Sequence, residues 1–148
     1  MKISKKTKNI LIAALALVIY ALAQQGENLT GLSPAPTGSD TAIATAFANE
    51  QSDIQVQGQG VVKKVLPDDT KGLQHQKFIL QTSPDQTVLV AHNIDLADRL
   101  PGLKKGDTVE FYGEYEWTTQ GGVMHWTHHD PSGRHINGWL KHNGKTYQ

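Results

Sequence analysis

The chain has 148 residues, 14 basic and 14 acidic side chains, and no cysteine. That length suits one domain with a core of its own rather than two. The missing cysteines exclude a disulfide framework, a thiolate metal site and a cysteine nucleophile, and the charge balance removes net basicity as an argument for nucleic-acid binding.

Lys2, Lys5, Lys6 and Lys8 precede an uncharged run from Ile10 to Ala23, and Ala21-Leu22-Ala23 has the A-x-A form of a cleavage site. This is the pattern of a secretory signal peptide over residues 1–23. The apolar run is shorter than the roughly 20 residues a spanning helix needs, so an uncleaved membrane anchor is the weaker reading. No cysteine follows it for lipid attachment. Cleavage after Ala23 removes four lysines and no acid, leaving 10 basic against 14 acidic side chains, a net charge of −4. The expectation is an exported, periplasmic or secreted, mildly acidic protein.

Residues 24–39 are rich in Gly, Pro, Ser and Thr and read as a flexible linker. Asp40 can cap a short helix in which Ile43, Ala46 and Phe47 recur at i, i+3 and i+4. From Ile54 the period becomes two. A long first strand with Gly58 and Gly60 as bends runs to Leu66 and stops at Pro67, and Asp68 to Gly72 supply a turn. Strands are predicted over 75–82 and 86–94, joined at Pro84-Asp85. Residues 95–105 read as one or two helical turns or a packed loop.

In the next strand Val109, Phe111, Gly113, Tyr115 and Trp117 share one face, and Glu110, Tyr112, Glu114 and Glu116 the other. Gly121-Gly122 then turn the chain into a fifth strand, VMHWTHH, stopped by Pro131. The tail from Gly138 either adds an edge strand or lays Trp139 across a barrel end. The predicted fold is all-β: residues 40–148 form a small five-stranded OB-like barrel, β-β-β-α-β-β, behind the N-terminal helix. A small antiparallel sandwich is the competing architecture.

Chemistry-bearing residues concentrate in the last third. His125, His128, His129, Asp130 and His135 fall within eleven positions, and His75 and His92 lie on strands that a barrel can bring beside them. Imidazoles with a carboxylate suit a divalent transition metal such as zinc, and His125 with Asp130 is the pair expected to manage a proton as catalytic residues. On a regular strand, however, His125 and His129 face one way and His128 the other, and no HExxH signature is present. Hydrogen-bonded histidines at a strand end need no metal, and a satisfied core or strand-end role is the plainer reading of His75 and His92. Asp68-Asp69 fits a solvated turn better than an ion site. Among the aromatic residues, Tyr115 and Trp117 belong to the core by alternation, which leaves Trp126 as the surface stacking candidate. Asn93 fits a ligand contact or a turn, and Arg134 gives the tail a cation an anionic ligand can use.

The segments GQGVVKKVLPDD (58–69), HQKFIL (75–80), VAHNIDLA (90–97), KGDTVEFYGEYEW (105–117) and GGVMHWTHHDPSGRH (121–135) resemble a family of short exported bacterial proteins catalogued only as a domain of unknown function. The resemblance implies a single OB-type domain behind a signal peptide and carries no activity. A looser similarity, through Ile94-Asp95 at the end of the third strand, is to the staphylococcal-nuclease version of the barrel. That family's catalytic arginine, glutamate and calcium-site pattern is not recognisable in this sequence.

Three functional classes follow. The leading one is an exported binding module whose His/Trp-rich face, with His75, His92, Asn93, Trp126 and Arg134, receives an oligomeric ligand: nucleic acid, glycan or peptide. The second is a metal-dependent hydrolase, nuclease-like by fold analogy, built on the 125–135 cluster. The third is a domain that contacts an envelope protein partner.

Overall fold

The computed structural model describes residues 38–148, and the expected signal peptide and most of the expected linker lie outside the described residues. The first helix, α1 (Gly38–Ala48), begins two residues before the expected cap. It buries Ile43 and Ala46, with Phe47 packed against the core beside them, the three positions its spacing singled out.

Five strands close into a barrel: β1 (Ile54–Val65), β2 (His75–Ser83), β3 (Gln86–Asn93), β4 (Thr108–Glu116) and β5 (Val123–His125). Their order around the barrel is β1-β2-β3-β5-β4, and β1 returns to pair with β4. The β3–β5 pairing is parallel and the others are antiparallel. Closure depends on β1 serving two partners. Its first half, Ile54 to Val61, pairs with β4, and its second half, Val61 to Val65, pairs with β2 across an irregularity between Val62 and Lys64. The change of partner falls at Val61, directly after Gly60, where an added Cβ would lie 2.9 Å from the Gln81 carbonyl oxygen of β2.

Strict alternation sorts the faces. In β4, Val109, Phe111, Gly113 and Tyr115 are buried while Glu110, Tyr112, Glu114 and Glu116 face outward. In β2 the inward residues are Gln76, Phe78, Leu80 and Thr82, and in β3 Val88, Val90 and His92 lie inward. Tyr115, Phe78, Phe111, Leu80, Met124 and Leu140 are the large side chains of the core. Trp117 joins its edge and stacks on Phe47 of α1, ring centroids 6.4 Å apart, so the helix covers one end of the barrel through an aromatic pair.

Between β3 and β4, where the predicted order placed a short helix, the chain makes turns over residues 94–107. The packed-loop alternative holds. Leu100 is buried, and Gln76 clamps it by donating from Nε2 to the Leu100 carbonyl (3.0 Å) and accepting the Leu100 amide on Oε1 (2.8 Å). A buried amide side chain with both ends satisfied replaces the backbone hydrogen bonds a helix would have supplied. In the β1–β2 connection, Asp68 pairs with Arg99 at 2.7 Å and Asp69 forms an isolated backbone bridge with His75, so the Asp-Asp pair is a turn element.

The tail forms a hairpin, β6 (Trp139–His142) and β7 (Lys145–Tyr147), that extends the sheet beyond β4. Its two-residue turn is Asn143-Gly144, both with positive φ (50° and 76°), the combination a tight hairpin demands. Leu140 stands opposite Phe111 and is fully buried, so the hairpin completes the core. Among the described residues no helix is long and apolar enough to cross a membrane. Leu140→Ala should therefore cost about 3 kcal/mol in urea unfolding, the range for a buried leucine, whereas a tail merely lying on the surface would cost far less.

Candidate functional site

The fifth strand is shorter than the sequence suggested, and that shortening builds the site. β5 ends at His125 because Trp126 adopts a left-handed backbone, φ 53°, which a bulky residue takes up only when its surroundings impose it. Alternation is lost there, so the expected opposition of His128 to His125 and His129 across a regular strand does not apply. Gly138 packs directly against this bend. A Cβ on Gly138 would lie 1.9 Å from the Trp126 carbonyl oxygen and 2.5 Å from that of Tyr112, so no larger residue fits between β4 and the turned chain. The Trp126 ring stacks on His135, with centroids 4.1 Å apart and planes 9° from parallel, and lies 5.5 Å from His128.

The loop that presents His135 is organised by Asp130. Its carboxylate accepts the amides of Ser132 (2.9 Å), Arg134 (2.8 Å) and His135 (2.8 Å) and the Ser132 hydroxyl. The Ser132 hydroxyl and amide, followed by the amides of His135 and Arg134, hold the Asp130 carboxyl well below the usual carboxylate range. An acid whose oxygens are taken up in this way is a loop organiser, so the expected pairing of Asp130 with His125 as a catalytic acid-base pair has no support in the geometry. Arg134 is exposed, and its Nε donates to the Ser132 hydroxyl within the same loop. His129 is exposed and His128 is buried with Nδ1 donating to the His129 carbonyl.

The other predicted residues also have defined places. His92 is fully buried; Nε2 donates to the Asp98 carbonyl (3.1 Å), and Nδ1 then accepts the Thr127 hydroxyl (2.8 Å). Burial above all, with the nearby His128 and His75 charges, lowers its pKa to about 4, and it is a neutral core histidine. Asn93 accepts the Asp95 amide at 2.9 Å, and Asp95 in turn accepts the Gln74 amide, so the turn role is real. Asn93 also lines a groove of about 220 Å³ with Leu73, His75, Ala91, Leu96, His125, Trp126 and His128. Of the expected ligand contacts, the groove brings together His75, Asn93 and Trp126, while His92 lies beneath it and Arg134 outside it.

His125 sits at the rim of that groove, and on its other side are two residues the sequence reading did not single out. Glu114 is its cross-strand partner on β4. His125 Nε2 lies 3.4 Å from Glu114 Oε1 and 3.3 Å from Glu116 Oε1, yet it is buried without a hydrogen bond of acceptable direction. The ligand atoms of Glu114, Glu116 and His125 all lie within 4.8 Å of one another, and no other group of three or more His, Cys, Asp or Glu does so among the described residues. The five-residue cluster predicted from 125–135 therefore contributes only His125 to this convergence. The second Glu114 oxygen, Oε2, accepts from His135 Nε2 at 2.5 Å while His135 Nδ1 donates to the Ile136 carbonyl. Desolvation opposes the charge on His135, but Glu114, the Ile136 carbonyl and Asp130 outweigh it and raise the pKa. With an acceptor on each ring nitrogen, His135 is the imidazolium.

A family model described as "Protein of unknown function (DUF3465)" matches residues 29–148. The chain belongs to this family. A search of curated proteins returned no match. The family brings no activity with it, and the chemistry of the face has to be argued from its own residues.

Two outcomes test this description. Below pH 6.5 the unfolded chain takes up a proton that native His92 refuses down to about pH 4, so this residue's contribution to stability is present above 6.5 and is lost as pH falls through that window. Wild type should lose about 2 kcal/mol more than His92→Gln between pH 7 and pH 5 in denaturant titrations. Asp130→Asn places an NH2 group among amide donors, and should release the Trp126–His135 stack, read as a changed tryptophan emission in a protein that remains folded.

Proposed function

We propose that the protein is an exported binding module whose barrel face takes one ring-sized unit of a neutral oligomeric ligand, a glycan. The observation that carries this reading is the preformed aromatic wall. Trp126 is fixed by its left-handed backbone, by Gly138 behind it and by the His135 stack, so a ligand ring meets a surface already ordered and little further entropy is lost on binding.

The groove's size and charge support a glycan over the alternatives. At about 220 Å³ it is smaller than the roughly 300–1,000 Å³ of pockets that enclose a whole drug-sized ligand, which suits one subsite along a longer chain. No lysine or arginine lines it, and Glu114 and Glu116 lie just beyond His125, an arrangement that repels a phosphodiester backbone. Histidine and asparagine in its lining offer the donors and acceptors that sugar hydroxyls use. OB-type barrels are known to present a strand face to oligosaccharides as well as to oligonucleotides, though fold analogy only permits the reading. Export rests on the basic, apolar and A-x-A segments of residues 1–23.

Titration of tryptophan fluorescence with soluble cell-wall glycan fragments should give a saturable change, and Trp126→Ala should weaken binding at least about tenfold, the scale of one lost stacking contact. Tight, salt-sensitive binding of oligonucleotides instead would replace this reading with a nucleic-acid one. Capture of an envelope protein without any glycan response would leave the partner-domain reading in its place.

A further inference from the structure

We infer that Glu114, Glu116 and His125 form a binding site for one divalent transition metal ion of the zinc class. The site joins the outward face of β4 to the last residue of β5. Because β4 and β5 run antiparallel with Glu114 opposite His125 and Glu116 opposite Val123, the two carboxylates flank the imidazole from one side.

Three observations carry the inference. First, the separations suit a shared ion. Donor atoms on a tetrahedral zinc, with bonds of roughly 2.0–2.1 Å, are about 3.3 Å apart along each edge. His125 Nε2 stands 3.3 Å and 3.4 Å from the two carboxylate oxygens. Second, His125 Nε2 is a buried polar atom without a hydrogen bond, facing two negative groups. In the tautomer with its proton on Nδ1, the ring turns a lone pair toward those carboxylates, and a cation at the centre satisfies all three donors together. Third, the outer oxygen of Glu114 is already held by His135, which leaves Oε1 aimed at His125. Ligating carboxylates are commonly oriented by such a second hydrogen bond. His135 is accordingly a positioning residue.

The donor set selects the class of ion. Calcium and magnesium take oxygen donors, whereas one imidazole with two carboxylates suits zinc and its first-row neighbours. Three protein donors leave a fourth position open to water or to a ligand oxygen, and His125 also lines the groove, so that position lies at the groove's rim. The inference stands whichever ligand the groove accepts.

The test is isothermal titration of the untagged, chelator-stripped full chain with zinc chloride, with calcium chloride as the comparison ion. The variants are Glu116→Gln, His125→Gln, Glu110→Gln and His129→Gln, each checked for wild-type circular dichroism. Glu116 is half-exposed, so its substitution leaves the core untouched. Wild type should bind one zinc ion per chain. Glu116→Gln and His125→Gln should each weaken binding at least about tenfold, while Glu110→Gln and His129→Gln bind as wild type does. No stoichiometric uptake by wild type, a preference for calcium, or zinc binding that survives His125→Gln overturns the inference. Loss confined to His129→Gln would likewise overturn it by moving the ion to the 128–135 segment.

Discussion

Everything on the candidate face depends on how the chain leaves β5. The parallel pairing of Leu89 and Val90 with Val123 and Met124 closes the barrel on that side with very few residues, and the polypeptide must then turn away at once to reach the β4 edge where β6 pairs. The left-handed backbone at Trp126 makes that turn. A non-glycine residue in this region costs about 1–2 kcal/mol, and the packing around it offsets the cost. Thr127 is drawn inward to His92, the Gly138 amide donates to the His128 carbonyl at 2.9 Å, and the ring of Trp126 is closed over by His135. If the bend were relaxed into continuing strand, His128 and His135 would leave the face and the groove would lose its wall.

Buried polar groups are used in the same manner throughout. His92 joins β3 to the segments on either side of it, Gln76 fixes Leu100, and the buried His142 donates to Asp107 at 2.9 Å, joining the tail hairpin to the approach of β4. Each of these has its partners, so each specifies one arrangement of loops around an otherwise apolar barrel. His125 Nε2 differs from them in having no hydrogen bond, as do Gln55 Nε2 and Trp117 Nε1, and it alone of the three faces two carboxylates at 3.3 and 3.4 Å.

The barrel was largely legible in the sequence because its signals are local. Period-two alternation in β4, the Pro84-Asp85 connection and the 43-46-47 stripe of α1 all depend on residues a few positions apart. The site was less legible. Histidine density drew attention to 125–135, but counting histidines says nothing about which backbone conformation ends β5 or which oxygens of Asp130 are already engaged. Glu114 and Glu116 read as ordinary outward residues of a half-buried strand. The signal that exposes them is register: a turn at Gly121-Gly122 sets His125 opposite Glu114. The tail hairpin also carried a strong mark in Asn143-Gly144, flanked by alternating Leu140 and Tyr147, and its weight was missed.

That hairpin also determines how the barrel meets other copies of itself. Each of the five barrel strands pairs with a neighbour on both sides over part of its length, and the terminal strand of the sheet is β7, three residues long and carrying Lys145. An edge so short, with a charge at its start, offers too few unpaired amides and carbonyls to recruit a strand from a neighbour. A crowded compartment would therefore find this protein a poor template for intermolecular sheet growth, even though its core is built from strands.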